Sequence, residues 1–444
     1  MKNVLLLCYY FPPMGMGGTQ RSAKFVKYLP QFGWTPHVVT VKDVRYYAHD
    51  ESLLDELKHA HILRTESWDP LRLWARLSSS ATEKPGSRKT MKSPPSKSWM
   101  NLLNQVIGVW LLIPDSKMLW LTFAIRASLK LIRRQKIDVV YTTSPPQSAH
   151  LAGLILSQLT GVKWLADFRD DWTGGESQAS PTAFHRFINR LFEKLTLKRA
   201  DRIVAMCDFL KASLRTKHGY SDQSGKFKTI LNGYDRDDFS GMIHAPRNEL
   251  FTITHCGSIS RVSHPEPFLR AVSNLFREHP DLRRRIQIQF IGTDIFNSLE
   301  ALLVRYGLEQ TIPAIRYLPH RDALSQVMRS HLLLLTIFKK TNEEIITGKV
   351  FEYLASGKPI LLISSQGEVA QMIQRHRRGT LLAHDDIAGI QKSILNYYQL
   401  HQAGRLPMAP PLSLQEFDRE HLTGELAREF LEMTANQAHR TEKH

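Results

Sequence analysis

A chain of 444 residues exceeds one comfortable core and points to two domains of about 200 residues each. A hydrophobic share of 42% and a charged share of 23% are those of an ordinary soluble globular protein. Three scattered cysteines, Cys8, Cys207 and Cys256, exclude a disulfide frame or a zinc site and suit a reducing compartment. The net charge of +17 asks for an anionic partner; with no zinc-finger spacing, nucleic-acid motif or aromatic–basic repeat, nucleic acid is set aside in favour of an anionic membrane surface.

The first apolar run, 1–8, is too short for a signal peptide and lacks a small-residue cleavage site, so a cytoplasmic chain opening on a β-strand (4–8) is expected. Tyr9-Tyr-Phe-Pro-Pro-Met-Gly-Met-Gly-Gly-Thr-Gln-Arg21 follows. A glycine turn between strand and helix lets backbone amides approach a phosphate or sugar closely. Gln20 stands where a dinucleotide fingerprint would need its third glycine, and a purely structural turn is the alternative. A helix over 21–29 and a strand over 37–41 come next.

Residues 82–98 carry five Lys or Arg against one Glu, and the uncharged stretch 99–114 after them contains Trp99 and Trp110. With polar Asn and Gln and a closing Pro114, that stretch falls short of the ~20 apolar residues that span a bilayer, and it suits docking on the interface. A disordered loop followed by a core helix is the alternative. Helix 119–134 then leads to strand 139–142 and to Tyr141-Thr-Thr-Ser-Pro-Pro-Gln-Ser-Ala-His150, which sets a histidine at the start of helix 148–159, where a satisfied structural histidine is the commoner reading. Strand 163–166 runs into Asp167-Phe-Arg-Asp-Asp-Trp172, three carboxylates and an arginine at a strand end, where function concentrates. Helix 184–199, strands 202–205 and 228–231, and a turn at Asn232-Gly complete the first half.

The polar stretch 240–249 reads as the interdomain linker. Strands 251–255, 286–291, 332–337 and 359–363 follow, interleaved with helices 266–278, 322–329 and 366–376. Apolar strands alternating with helices indicate parallel sheets covered on both faces. The expected fold is therefore α/β: two doubly wound, Rossmann-like domains facing across a cleft. The first spans 1–240, with a basic and apolar insertion at about 66–118; the second spans 247–411, and a last helix over 412–437 packs back on the first. After strand 251–255 stands Gly257-Ser-Ile-Ser-Arg261, whose arginine could neutralise a phosphate or lie on a surface loop. Near the end of the second half comes Glu344-Ile-Ile-Thr-Gly-Lys-Val-Phe-Glu352. Gly348 brings a loop into a helix at Lys349, placing Glu344 on the loop, Glu352 in the first turns and free backbone N–H groups between them. Such an anion site flanked by carboxylates suits a nucleotide-sugar pocket.

Taken together, these residues resemble the retaining nucleotide-sugar glycosyltransferases of family four, which have the GT-B fold. The likeness runs from Pro12-Pro…Gly17-Gly18-x-x-Arg21 through Ser144-Pro-Pro…His150, Asp167-Phe-Arg-Asp-x-Trp172, Asn232-Gly-x-Asp235 and Gly257…Pro265 to Gly348-Lys-x-Phe-Glu-Tyr-Leu-Ala-x-Gly-Lys-Pro-Ile-Leu361. It implies a donor in the second domain, an acceptor at the first, retention at the anomeric carbon, and neither metal nor cofactor. Catalytic roles fall to Glu344, His150 and Asp170. Donor contacts fall to Gly17, Gly18, Arg261, Gly348, Lys349 and Glu352, and acceptor-side contacts to Arg21, Arg169 and Trp172. Glu344 would meet the donor sugar and Glu352 the ribose. One departure stands out: Ser258 and Ser263 occupy the places where relatives carry a basic pair for the diphosphate, which leaves Arg261 or Lys349 to substitute.

The expected activity is transfer of a sugar to a glycan or lipid-linked acceptor in surface polysaccharide biosynthesis, at the inner face of the plasma membrane. A nucleotide-sugar epimerase of the same fold and a non-catalytic nucleotide-sugar-binding homologue are the alternatives.

Overall fold

A computed structural model describes residues 1–15, 17–42, 51–68, 112–174, 181–221, 225–338 and 346–441. Glu344 and most of the basic and apolar stretch 82–114 lie outside the described residues. The chain forms two compact units, one of residues 1–231 with 420–444 and one of residues 232–419. The division falls at 231/232, ahead of the polar stretch 240–249.

The first unit is built on seven parallel strands: β1 (Lys2–Leu7), β2 (Trp34–Val41), β3 (His61–Thr65), β4 (Val139–Ser144), β5 (Lys163–Phe168), β6 (Arg202–Ala205) and β7 (Phe227–Thr229). Their order in the sheet is β3-β2-β1-β4-β5-β6-β7. The central strands are almost wholly buried, as parallel strands covered on both faces must be. Register decides which side chains meet. Thr143 pairs with Asp167, so Tyr141, Thr143 and Asp167 share one face, while Thr142, Trp164, Ala166 and Phe168 share the other. On the first face, helix Gly17–Tyr28 brings Arg21 and the last helix, Arg419–Thr441, brings Phe430 against Tyr141 and Trp34. Leu422, Leu426, Phe430 and Met433 of that helix belong to the same core as Val4, Phe25 and Val38. On the second face, helix Ser148–Thr160 seats Gly153 so tightly that a Cβ there would come 2.3 Å from Trp164 Nε1.

The second unit holds five parallel strands: β8 (Phe251–Cys256), β9 (Ile286–Ile291), β10 (Leu332–Ile337), β11 (Ile360–Ser364) and β12 (Gly379–Leu382), in the order β12-β11-β10-β8-β9. One side of its core joins Phe268, Val272 and Leu275 of helix Glu266–Glu278 to Ile390 and Ile394 of helix Ile387–Gln402. Edge strands β3 and β12 and helices Asp208–Lys217, Leu299–Arg305 and Ile387–Gln402 add to the elements expected from sequence. Among the described residues, no helix is long and apolar enough to cross a membrane.

Candidate active site

In the first unit, a buried carboxylate organises the strand ends. Asp167 receives Arg21 Nε at 3.0 Å and Nη2 at 2.9 Å, the Tyr141 hydroxyl at 2.6 Å and the Thr143 hydroxyl at 3.1 Å. Burial alone would raise its pKa, but Arg21 outweighs burial and holds Asp167 below the usual carboxylate range. Arg21 also donates to the carbonyls of Leu231 at 2.7 Å and Ile230 at 2.9 Å. It is a fully enclosed tie between the glycine-turn helix and the sheet.

Arg21, expected on the acceptor side, meets protein groups in every one of these bonds. Two other expected acceptor contacts are likewise structural. Arg169 Nε donates to the Ser144 carbonyl at 3.0 Å, Nη2 to the Pro145 carbonyl at 2.6 Å, and Nη1 to the Gly18 carbonyl. This guanidinium fastens the glycine turn to the end of β4, and a Cβ on Gly18 would stand 2.7 Å from Nη1. Trp172 is buried, its indole N–H donating to Asn189 Oδ1 at 3.0 Å. The three residues shape the strand ends from beneath.

His150 is enclosed beneath the same strand ends, against Phe168 at 4.4 Å between ring centroids. Trp164 Nε1 donates to Thr142 Oγ1 at 2.8 Å, and the same hydroxyl bonds His150 Nδ1, also at 2.8 Å. His150 Nε2 has no hydrogen-bond partner among the described residues. Burial lowers the His150 pKa to about 3, so the ring is neutral and offers a hydrogen bond rather than a charge. Asp170 alone of the expected first-unit side chains is exposed.

In the second unit the functional groups gather around the start of helix Lys349–Ser356, whose N-cap is Gly348. Glu352 is buried and receives His320 Nε2 at 2.9 Å and Lys349 Nζ at 3.2 Å. Burial opposes its charge, but Lys349 and His320 together hold it well below the usual carboxylate range. His320 is pulled the other way. Burial would lower its pKa, yet Glu352, with Asp238 3.9 Å from Nδ1, raises it above the ordinary value. The Lys349 pKa is raised, because Cys256 and Glu352 outweigh burial. The stem of Lys349 lies against the glycine turn after β8: a Cβ on Gly257 would meet Lys349 Cγ and His255 Nε2, each at 3.7 Å. Asn232 approaches the same helix start, its Nδ2 3.4 Å from a Cβ built on Gly348, and its Oδ1 is buried without a partner among the described residues.

Arg261 stands apart, exposed and stacked over Phe296 with 5.3 Å from guanidinium carbon to ring centroid. Ser258 and Ser263 bond Thr293 and Thr336 at 2.9 Å and 3.1 Å. His320 and Tyr353 escaped the sequence reading, since their partners lie 32 and 97 residues away. A histidine directly after Pro319 at a helix start was the only local signal for the first.

Residues 17–224 match a family described as the glycosyl transferase 4-like domain. No curated protein matches the chain in sequence. Solved structures share its fold at low identity. HepE from Anabaena, in complex with UDP-glucose, superposes with a TM-score of 0.61 at 14% identity, over 97% of this chain and 100% of its own. Sucrose-phosphate synthase from Thermosynechococcus elongatus gives 0.57 at 13%, over 100% and 99%. WaaG, a glycosyltransferase involved in lipopolysaccharide biosynthesis, gives 0.55 at 12%, over 98% of both.

Proposed function

We propose that this chain, a family-four-like glycosyltransferase of the GT-B fold, is a retaining enzyme that moves a sugar from a nucleotide-sugar donor to a glycan or lipid-linked acceptor in surface polysaccharide biosynthesis. The donor belongs to the second unit and the acceptor to the first. The observation that carries this reading is the buried, ionised Glu352 beside Lys349 at a helix start. It would combine an acceptor for ribose hydroxyls with a cation at a helix N-terminus, whose dipole favours the diphosphate. HepE was solved with UDP-glucose, which supports a nucleotide sugar as the donor class. The role of WaaG in lipopolysaccharide biosynthesis supports a surface glycan as the product class.

Loss of the nucleoside diphosphate builds negative charge on phosphate and positive charge on the sugar ring. Lys349, whose stem lies against Gly257, would answer the first, while exposed Arg261 sits over Phe296 farther along the same loop. Glu344 would answer the second. Neutral His150 would turn its unpartnered Nε2 to a donor or acceptor hydroxyl, and Asp170 would line the acceptor side. The leaving diphosphate can take the acceptor proton, so the reaction needs neither a protein base nor a cofactor. The protein would act in the cytoplasm, peripherally at the inner face of the plasma membrane.

The test is donor hydrolysis over a panel of sugar nucleotides, with the anomeric configuration of the first product read by proton NMR. Release of the retained anomer is expected. An inverted product would overturn the retaining mechanism, interconversion of the donor without an acceptor would select the epimerase, and binding without turnover would select the non-catalytic homologue.

A further inference from the structure

We infer that the outer face of helix Ala183–Arg199 is a docking surface for anionic lipid. This deepens the membrane-side part of the proposed function and is independent of the transfer chemistry. The helix turns Phe184, Phe187 and Leu191 outward at i, i+3 and i+7, the first two being 63% and 64% exposed. Beside this apolar stripe runs a basic one, Arg186, Arg190 and Lys194 at i, i+4 and i+8, all exposed.

The neighbours extend the same character. Helix Ser148–Thr160 packs against this helix and exposes Ile155 and Leu159; helix Leu121–Gln135 packs against that one and exposes Arg126 and Lys130. Across the three helices stand nine Lys or Arg and one acid, Glu193, which is buried. The core of a protein interface is depleted in charge, whereas here cations alternate with aromatic side chains turn by turn. That alternation suits a headgroup layer, where long basic side chains reach phosphates while apolar rings enter the acyl boundary.

The buried side of the helix carries a second observation. Asn189 receives the Trp172 indole N–H at 3.0 Å, and Glu193 receives the Thr173 hydroxyl and, at 2.9 Å, Lys217, which also binds Asp171. The lipid-facing helix and the loop after β5 are thus one hydrogen-bonded piece. A membrane-borne acceptor would meet the loop that carries Asp170 at the surface that holds the membrane.

The test is co-sedimentation of the full chain with vesicles of phosphatidylcholine alone and of phosphatidylcholine with phosphatidylglycerol. The wild type should pellet with the anionic vesicles only and be released by salt. Arg190→Gln with Lys194→Gln should lower partitioning about twenty-five-fold, given roughly five-fold per cationic contact at an anionic surface. Phe184→Ser with Phe187→Ser should also lower it. Donor hydrolysis without vesicles, which should be unchanged in both variants, separates failure of docking from failure of the transfer reading. Variants that bind like the wild type, binding that ignores lipid charge, or a face whose alteration changes only self-association would each overturn the inference.

Discussion

The Tyr353 hydroxyl accepts the backbone N–H of Cys256 at 2.7 Å and faces the Leu334 carbonyl at 3.4 Å. One side chain therefore ties the end of β8 and the middle of β10 to the helix that presents Glu352. Cys256 precedes the glycine turn and Tyr353 follows Glu352, so the contact fixes the turn against the carboxylate.

Removing only the oxygen tests this. Tyr353→Phe leaves a buried N–H without a partner and should cost about 1–3 kcal/mol of stability. Urea unfolding would show it as a lower midpoint at unchanged slope. A midpoint equal to the wild type would mean that the N–H finds another acceptor and that the clamp is dispensable.

Gly292 supports the same turn from the β9 side. Its φ is +139°, and a Cβ there would fall 2.0 Å from the Gly257 carbonyl oxygen, a backbone atom with little room to yield. Gly292→Ala should lose about 3 kcal/mol and displace Gly257, weakening nucleoside-diphosphate binding with it. Calorimetry with the bare diphosphate and a thermal melt on one preparation suffice; unaltered affinity would separate Gly257 from the donor.

His320 should give the second unit a pH-dependent component of stability. Its folded pKa is raised above the ordinary 6.5, because Glu352 and Asp238 outweigh burial. The stabilisation is complete below the unfolded value and disappears as pH rises through the folded one. The melting temperature should therefore decline through neutral into alkaline pH, and His320→Gln should flatten that decline. A parallel decline in both proteins would assign it to other groups.

The two glutamates should separate kinetically. An interaction made equally in ground and transition states moves KM, and one made only in the transition state moves kcat. Glu352→Ala should chiefly weaken donor and free diphosphate binding, while Glu344→Gln should lower kcat by about ten-fold to a thousand-fold with little change in binding. Steady-state rates with calorimetry on both variants decide this, and equal effects would make the pair structural.

Much of the architecture was legible because buried parallel strands leave apolar runs such as Val4-Leu-Leu-Leu7 and Leu332-Leu-Leu-Leu335 that no other element explains. The edges were not. His61-Ile-Leu-Arg-Thr65 alternates between exposed and partly buried, and Gly379-Thr-Leu-Leu382 starts on a glycine at φ +158°, so neither shows the continuous pattern. At the site, Lys349 and Glu352 were readable because they sit three apart on one helix. What remained hidden was depth. A sequence displays Arg21, Arg169 and Trp172 beside carboxylates and glycines, but whether a guanidinium faces a ligand or three carbonyl oxygens depends on register across strands. His320 was invisible for the same reason, its partner being set by tertiary packing alone.

The last helix has a consequence for the order of assembly. Residues 420–444 complete the core begun by residues 1–231, and the 188 residues of the second unit lie between them. At about 5–20 residues per second, a ribosome needs roughly 10–40 s to deliver Phe430 after Leu231 has emerged. During that interval Trp34 and Tyr141 lack the aromatic ring that covers them in the finished fold. The sheet synthesised first is thus the sheet finished last, and until then its flank at Trp34 and Tyr141 stays unsealed.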